Sequence, residues 1–118
     1  MYGIKVIDEF SGAHALRHYK GKCEALHGHN WRIEVLLESA TLDSQGMVMD
    51  FKELKHKLNN ILSSLDHKYL NDTPYFKKIN PTSENVAHFI HKRLSQILKK
   101  KIKVSVWETQ ASCASFEK

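Results

Sequence analysis

No apolar run in this chain approaches the roughly 18 residues needed to cross a bilayer, so a spanning helix is excluded. The opening Met1-Tyr2-Gly3-Ile4-Lys5 is not a signal peptide, and a cytoplasmic location is expected. Only two cysteines occur, Cys23 and Cys113, too few for the disulfide framework of a small secreted domain. They are expected to be reduced thiols, one of them reactive. Repeats, linkers and low-complexity segments are missing, so 1–118 is expected to form a single domain. The basic residues are scattered and lack the interleaved aromatics of a single-stranded nucleic-acid surface, so no nucleic-acid partner is expected. The formal net charge of +5 suits a phosphorylated small substrate equally well.

What is present is an ordinary globular composition, 42% hydrophobic and 26% charged. A chain of 118 residues can bury a core but has little room for a deep, dry active site of its own. An oligomer with sites between subunits is therefore expected. Eight histidines are more than chance supplies and need sorting one by one.

The alternation of Ile4, Val6 and Phe10 predicts a strand over 2–10, interrupted on that face by Asp8. Ser11-Gly12-Ala13 breaks the alternation with small residues that permit a bulge or a close backbone approach. His14 follows, then a basic loop over 15–26. A second strand is predicted from His27 to about Ala40, pairing with the first as a long antiparallel hairpin. Asp43-Ser44-Gln45-Gly46 reads as a turn.

Asp50 with Glu53 has capping-box spacing, and Phe51, Leu54, Leu58, Ile61, Leu62 and Leu65 give one helical face. A second helix is predicted to open at Thr82-Ser83-Glu84-Asn85. Its face is Val86, Phe89, Ile90, Leu94, Ile97 and Leu98, with Lys99 to Lys101 suited to its negative end. Residues 102–109 alternate again, and a short final strand is predicted around 114–116. Hairpin, two helices, hairpin is an α+β pattern, an antiparallel sheet with both helices on one face. Its first and last strands leave edges that must close or pair between subunits.

Several residues carry chemistry. In a strand, residues two apart share a face, so His27 and His29 lie side by side on the face that Trp31 continues. Two neutral imidazoles from one strand are a start for a transition-metal site, and His14 is the candidate third ligand. Three protein ligands with an open position is the catalytic arrangement. Cys23 as a fourth would instead give a closed structural site, the mark of a non-catalytic zinc-binding module. On spacing alone, a His-x-His is as often a solvated or core pair.

Cys23 sits in a basic loop that favours its thiolate, against the commoner fate of a free cysteine as a small buried hydrophobe, which suits Cys113 better. Asp66-His67 can be an acid/base pair only in irregular backbone, since adjacent side chains on a regular element diverge; an ordinary helix end is the simpler reading. Glu108 continues an apolar strand face. A carboxylate there is costly to bury unless donors meet it, and the edge of a guanidine-like ligand would supply two. The alternative is that the strand emerges into water at that point. His18, His56, His88 and His91 have no nameable partners, and the last three, on helical segments, read as surface or structural.

Phe10-Ser11-Gly12-Ala13-His14, Cys23-x-x-x-His27-Gly28-His29-Asn30, Met49-Asp50-Phe51, Leu65-Asp66-His67, Pro81-Thr82-Ser83-Glu84-Asn85 and Glu108-Thr109 occur in that order. Together they resemble the 6-pyruvoyl-tetrahydropterin synthase family, over essentially the whole chain. The three-residue gap between Cys23 and His27 is similar to the branch that makes a 6-carboxylated pterin for queuosine synthesis; the pyruvoyl branch tends to a longer gap.

The resemblance implies a tunnelling fold in which subunits join sheets into a barrel, as a homohexamer built from two trimers. It implies zinc on His14, His27 and His29, with Cys23 as catalytic base and Asp66 with His67 as a partner relay. Glu108 would anchor the pterin's amino-pyrimidine edge, with Thr82 and Ser83 nearby, although both also read as helix capping. The implied substrate is dihydroneopterin triphosphate. The family often has Arg directly after the first zinc histidine, and here that position is Ala15. Which of Arg17, Lys20 or Lys22 meets the triphosphate is thereby left open.

Overall fold

In the computed structural model, which describes residues 1–21 and 25–118, two long strands set the frame. β1 (Tyr2–His14) and β2 (His27–Ser39) pair antiparallel without a register break, from Tyr2 opposite Ser39 to His14 opposite His27. α1 (Phe51–Leu62) follows, then β3 (Lys68–Tyr69), α2 (Ser83–Ser95), β4 (Lys101–Thr109) and β5 (Ser112–Glu117). The sheet order is β3-β1-β2-β4-β5. The fold is α+β, with both helices on one face of the sheet.

That face is written in the alternation. Val6, Phe10, Trp31, Ile33, Val35, Leu37, Ile102, Val104 and Val106 are buried, and the residues between them point away from the core. Leu54, Leu58 and Leu62 of α1 and Val86, Ile90 and Leu94 of α2 close over them. Each fully buried aliphatic side chain contributes roughly 1.5–3 kcal/mol. Asp50 caps α1, its Oδ1 accepting from the Lys52 amide at 2.8 Å, and Thr82 caps α2, its Oγ1 accepting from the Asn85 amide at 3.1 Å.

Several expectations are corrected. β1 does not stop at Phe10 but runs to His14 with no bulge. Gly12 serves the close approach instead, because a Cβ there would lie 3.1 Å from the Phe10 ring and 3.4 Å from Leu70. The sheet is not purely antiparallel: β3 pairs parallel with β1 at Gly12 and Ala13. A two-residue strand is too short to carry a periodic signal.

Phe51 and Ile97 are exposed, Phe51 as the first residue of α1 and Ile97 beyond the end of α2. α2 ends at Ser95, so Lys99 and Lys100 lie beyond it and Lys101 opens β4; Lys92 and Arg93 occupy its last turn. Cys113 is exposed rather than buried, since it faces away from the helices opposite Trp107. Among the described residues, no helix is long and apolar enough to cross a membrane.

Candidate metal centre and active site

The β1–β2 register sets His14 directly across from His27, and Gly12 across from His29. Strand alternation turns all three imidazoles to the helix-covered face, one step beyond Trp31. Glu108 reaches the same place from β4, two residues past buried Val106, where the β4–β5 pairing shifts register between Trp107 and Thr109. Three strands thus deliver four ligand atoms that lie within 4.8 Å of one another.

The loops fix which ring nitrogens face inward. His14 Nδ1 donates to the Pro81 carbonyl at 2.7 Å, and His27 Nδ1 to the Ala25 carbonyl at 2.9 Å. With both protons on Nδ1, both Nε2 atoms present lone pairs, and they stand 3.0 Å apart. Glu108 Oε1 adds a third acceptor, 3.0 Å from His14 Nε2 and 2.8 Å from His29 Nε2. Acceptors gathered this closely repel unless a cation lies among them. His14 is only 2% exposed, so water cannot relieve the repulsion at that ring. Imidazoles held by carbonyls on the far nitrogen are the usual second layer of a transition-metal site. The donor set therefore fits a divalent metal of the zinc type.

The carbonyl behind His14 is itself framed. The Asn71 side chain accepts from the Ala15 amide at 3.0 Å and donates to the Ala15 carbonyl at 2.7 Å. Asn80 treats Arg17 likewise, accepting at 2.8 Å and donating at 3.3 Å. The Arg17 guanidinium then donates to the carbonyls of Ile79 (3.1 Å), Asn71 (3.2 Å) and Phe76 (2.6 Å). These bonds sew the segment leaving β1 to the 71–80 loop, and so hold Pro81 where His14 needs it.

Asp66 and His67 meet at a second place. α1 ends at Leu62, and the chain turns through His67, whose φ of 57° is left-handed. That irregularity lets neighbouring side chains converge, with Asp66 Oδ2 3.0 Å from His67 Nδ1. The Ser11 amide, donating to Asp66 Oδ1 at 2.9 Å, is the main cause holding the Asp66 carboxyl below its ordinary range. Partial desolvation opposes it and His67 assists. His67 lines a cleft of ≈ 550 Å³ with Ser11, Ala13, Gly28 and Asn30. Those strand positions alternate with His14, His27 and His29, so the cleft opens mainly on the other face of the sheet, with Gly12 and His29 also on its wall.

The sequence matches the family model of 6-pyruvoyl tetrahydropterin synthase over residues 3–118. The chain belongs to that family.

A relative from Synechocystis named 6-carboxy-5,6,7,8-tetrahydropterin synthase is 42% identical over 92 residues, 74% of this chain and 70% of the relative. The human 6-pyruvoyl tetrahydrobiopterin synthase is 39% identical over 103 residues, 82% of this chain and 71% of the relative. The solved structure of the Caenorhabditis elegans 6-pyruvoyl tetrahydropterin synthase superposes with a TM-score of 0.85 at 26% identity, covering 99% of this chain and 95% of that one. The fold of this family member is thus the tunnelling fold of those synthases.

Within this family member, the residues singled out from sequence fall into three groups. His14, His27 and His29 converge, and Glu108 joins them rather than standing apart. Ser83 is drawn in, its Oγ donating to Glu108 Oε2 at 3.1 Å, whereas the Thr82 hydroxyl is occupied as the α2 cap. Asp66 and His67 pair with each other on the opposite face. Cys23 lies outside the described residues. Sequence reasoning missed Asn71, Asn80 and the Pro81 carbonyl; the asparagines act through backbone they meet only in three dimensions.

Proposed function

We propose that this pterin synthase converts 7,8-dihydroneopterin triphosphate and water to 6-carboxy-5,6,7,8-tetrahydropterin, acetaldehyde and triphosphate, a step towards queuosine. The observation that carries the reading is the convergence of three imidazoles and one carboxylate at the end of a pterin-synthase sheet. The name carried by the Synechocystis relative supports the carboxy product, as does the short gap between Cys23 and His27.

His14, His27 and His29 would hold the zinc, which when bound acidifies a neighbouring C–H and steadies negative charge on substrate oxygen. Glu108 would turn from the imidazoles to accept from the guanidine-like edge of the pterin, with Ser83 steadying its second oxygen. Cys23, as thiolate, would take a proton from the substrate side chain. His67, oriented by Asp66, would move a proton at the adjacent carbon.

Because Asp66 and His67 open on the face opposite the imidazoles, a second copy of the chain would bring its own pair to this site. The exposed edges of β1 and β5 suit such joining of sheets, and a homohexamer of two trimers is the assembly we propose.

A second reading is 6-pyruvoyl-tetrahydropterin synthesis, which eliminates triphosphate without cutting a carbon–carbon bond; the human relative favours it. Incubation of the zinc-loaded protein with dihydroneopterin triphosphate separates the two. Acetaldehyde released in step with triphosphate is expected. Triphosphate without acetaldehyde gives the reaction to the second reading.

A further inference from the structure

We propose that Trp107, clamped from β2 by Arg32, is the positioning residue that fixes the backbone pivot of Glu108. The consequence for the pterin rests on the reading of Glu108 given above; the fixing of Glu108 itself does not.

Glu108 occupies a place that the sheet does not secure. Among the described residues, the β2–β4 ladder runs from Glu38 opposite Lys101 to Arg32 opposite Trp107 and goes no further. On the other side, β4 pairs Trp107 with Cys113 and Thr109 with Ser112, and Glu108 is left over between them. A residue left over in this way is released from the ladder, and its side chain takes the direction its neighbours impose. Yet Glu108 must be placed well, since its two oxygens meet His29 Nε2 at 2.8 Å and Ser83 Oγ at 3.1 Å. A carboxylate that swings between imidazoles and a ligand edge needs a still Cα to swing from.

Trp107 supplies that anchor from the opposite face. Strand alternation turns its indole away from the helices, and the residue is half-buried there. Arg32, directly across on β2, holds its guanidinium carbon 5.8 Å from the centre of the ring, within cation–π range. Arg32 is held in turn: its Nη2 donates to Glu34 Oε1 at 2.9 Å, and Lys5 Nζ on β1 lies 3.8 Å from Glu34 Oε2. The clamp thus ties the last β2-paired residue of β4 to both β2 and β1.

The indole is held by its face. Its Nε1 is buried, and among the described residues it has no hydrogen-bond partner. A buried donor left unpaired is a cost, so the flat ring and not the N–H is what the clamp uses. Thr109, on the far side of Glu108, is fixed separately, its Oγ1 accepting from the Ala111 amide at 3.2 Å. Glu108 therefore stands between two anchored residues, and Trp107 is the one that joins it to the strand carrying His27 and His29.

The test uses zinc-loaded protein: wild type, Trp107→Ala, Trp107→Phe and Arg32→Gln, the last removing the clamp without opening a cavity. Binding of neopterin is followed by its fluorescence. Trp107→Ala and Arg32→Gln are expected to weaken it about three- to tenfold with zinc content unchanged, the scale of one lost cation–aromatic contact. In turnover, KM rises by a similar factor and kcat stays within about twofold. Trp107→Phe keeps a ring face and binds neopterin within about twofold of wild type. In a Glu108→Gln background, Trp107→Ala adds no further loss. Crystal structures of Trp107→Ala and Arg32→Gln show Glu108 Oε2 out of hydrogen-bond reach of Ser83.

Glu108 unmoved in the variant structures overturns the proposal. So does an undiminished loss of neopterin affinity in the Glu108→Gln background, or a Trp107→Phe variant as weak as Trp107→Ala. If Glu108 moves but neopterin affinity is unchanged, or is absent in wild type too, the positioning stands and the pterin reading of Glu108 fails.

Discussion

Two histidine clusters sit at opposite ends of β4 on the helix-covered side of one sheet, and they are built on opposite rules. At the Glu108 end, three imidazoles from two strands meet edge to edge, with centroids 4.6 to 5.3 Å apart. Their ligand nitrogens point at one another and at a carboxylate. At the Ile102 end, His91 and His88 of α2 rest on the ring of Phe116, at 4.8 and 4.5 Å. His91 is hydrogen-bonded to the Ile102 backbone and is as buried as many core residues, yet among the described residues its Nε2 has no partner. Burial alone therefore does not make a histidine a ligand. What separates the clusters is direction: one sends several lone pairs to a common point, and the other sends a single ring into hydrocarbon.

The contrast breaks most severely at His14. His14→Ala removes the buried member of the converging set, and we expect loss of bound zinc with turnover reduced by at least about 10³-fold. Metal analysis beside the acetaldehyde assay reads both. Cys23→Ala is the matched case and is expected to abolish turnover while retaining zinc. Zinc loss there would make Cys23 a ligand and the site a closed one.

A smaller effect is expected from Asn80→Ala. It strips the Arg17 amide and carbonyl of their side-chain partner, which costs about 1–3 kcal/mol of stability. It also loosens the loop that holds Pro81 against His14, and loss of such supporting contacts typically lowers metal affinity 10–100-fold. Chelator competition for zinc measures this directly. His91→Phe in the same assay should leave zinc affinity unchanged, and a matching loss there would erase the distinction between the two clusters.

How much of this was legible follows from how each feature is encoded. The convergence of the three histidines could be read because a strand period of two fixes the faces of His27 and His29, and His14 lies on the partner strand. The helices could be read from their apolar stripes and from Asp50 and Thr82 at their caps. Glu108 was visible as a carboxylate out of place on an apolar face, but not as a member of the cluster. Its position depends on β4 lying beside β2, a pairing between residues more than 60 apart in sequence.

Asn71 and Asn80 were illegible for the same reason, because an asparagine that imitates a strand partner carries no local periodicity. His67 needed a left-handed turn that neither Asp66 nor His67 announces. Conversely, the small residues 11–13 suggested a break where Gly12 makes room for the Phe10 ring and Leu70.

The smallest effect tests the apolar cluster through pH. Burial, the leading cause, pushes the His91 imidazole below its ordinary value of 6.5, and the bond to the Ile102 backbone opposes this only in part. The neighbouring charges are His88 and Lys118, both disfavouring a proton on His91. Above pH 6.5 the ring is neutral in both folded and unfolded chains, so its contribution to stability is complete. As pH falls through 6.5, the unfolded chain takes up a proton that the folded chain still refuses. Stability then declines until pH reaches the lowered folded value, below which this group adds no further change.

His91→Phe keeps the contact with Phe116 and removes the proton. With zinc saturating in both proteins, the drop in urea midpoint between pH 7.5 and 5.5 should be smaller in the variant than in the wild type. Equal drops would mean that His91 is protonated in the fold, and that the cluster at the Ile102 end is not the dry packing site its geometry describes.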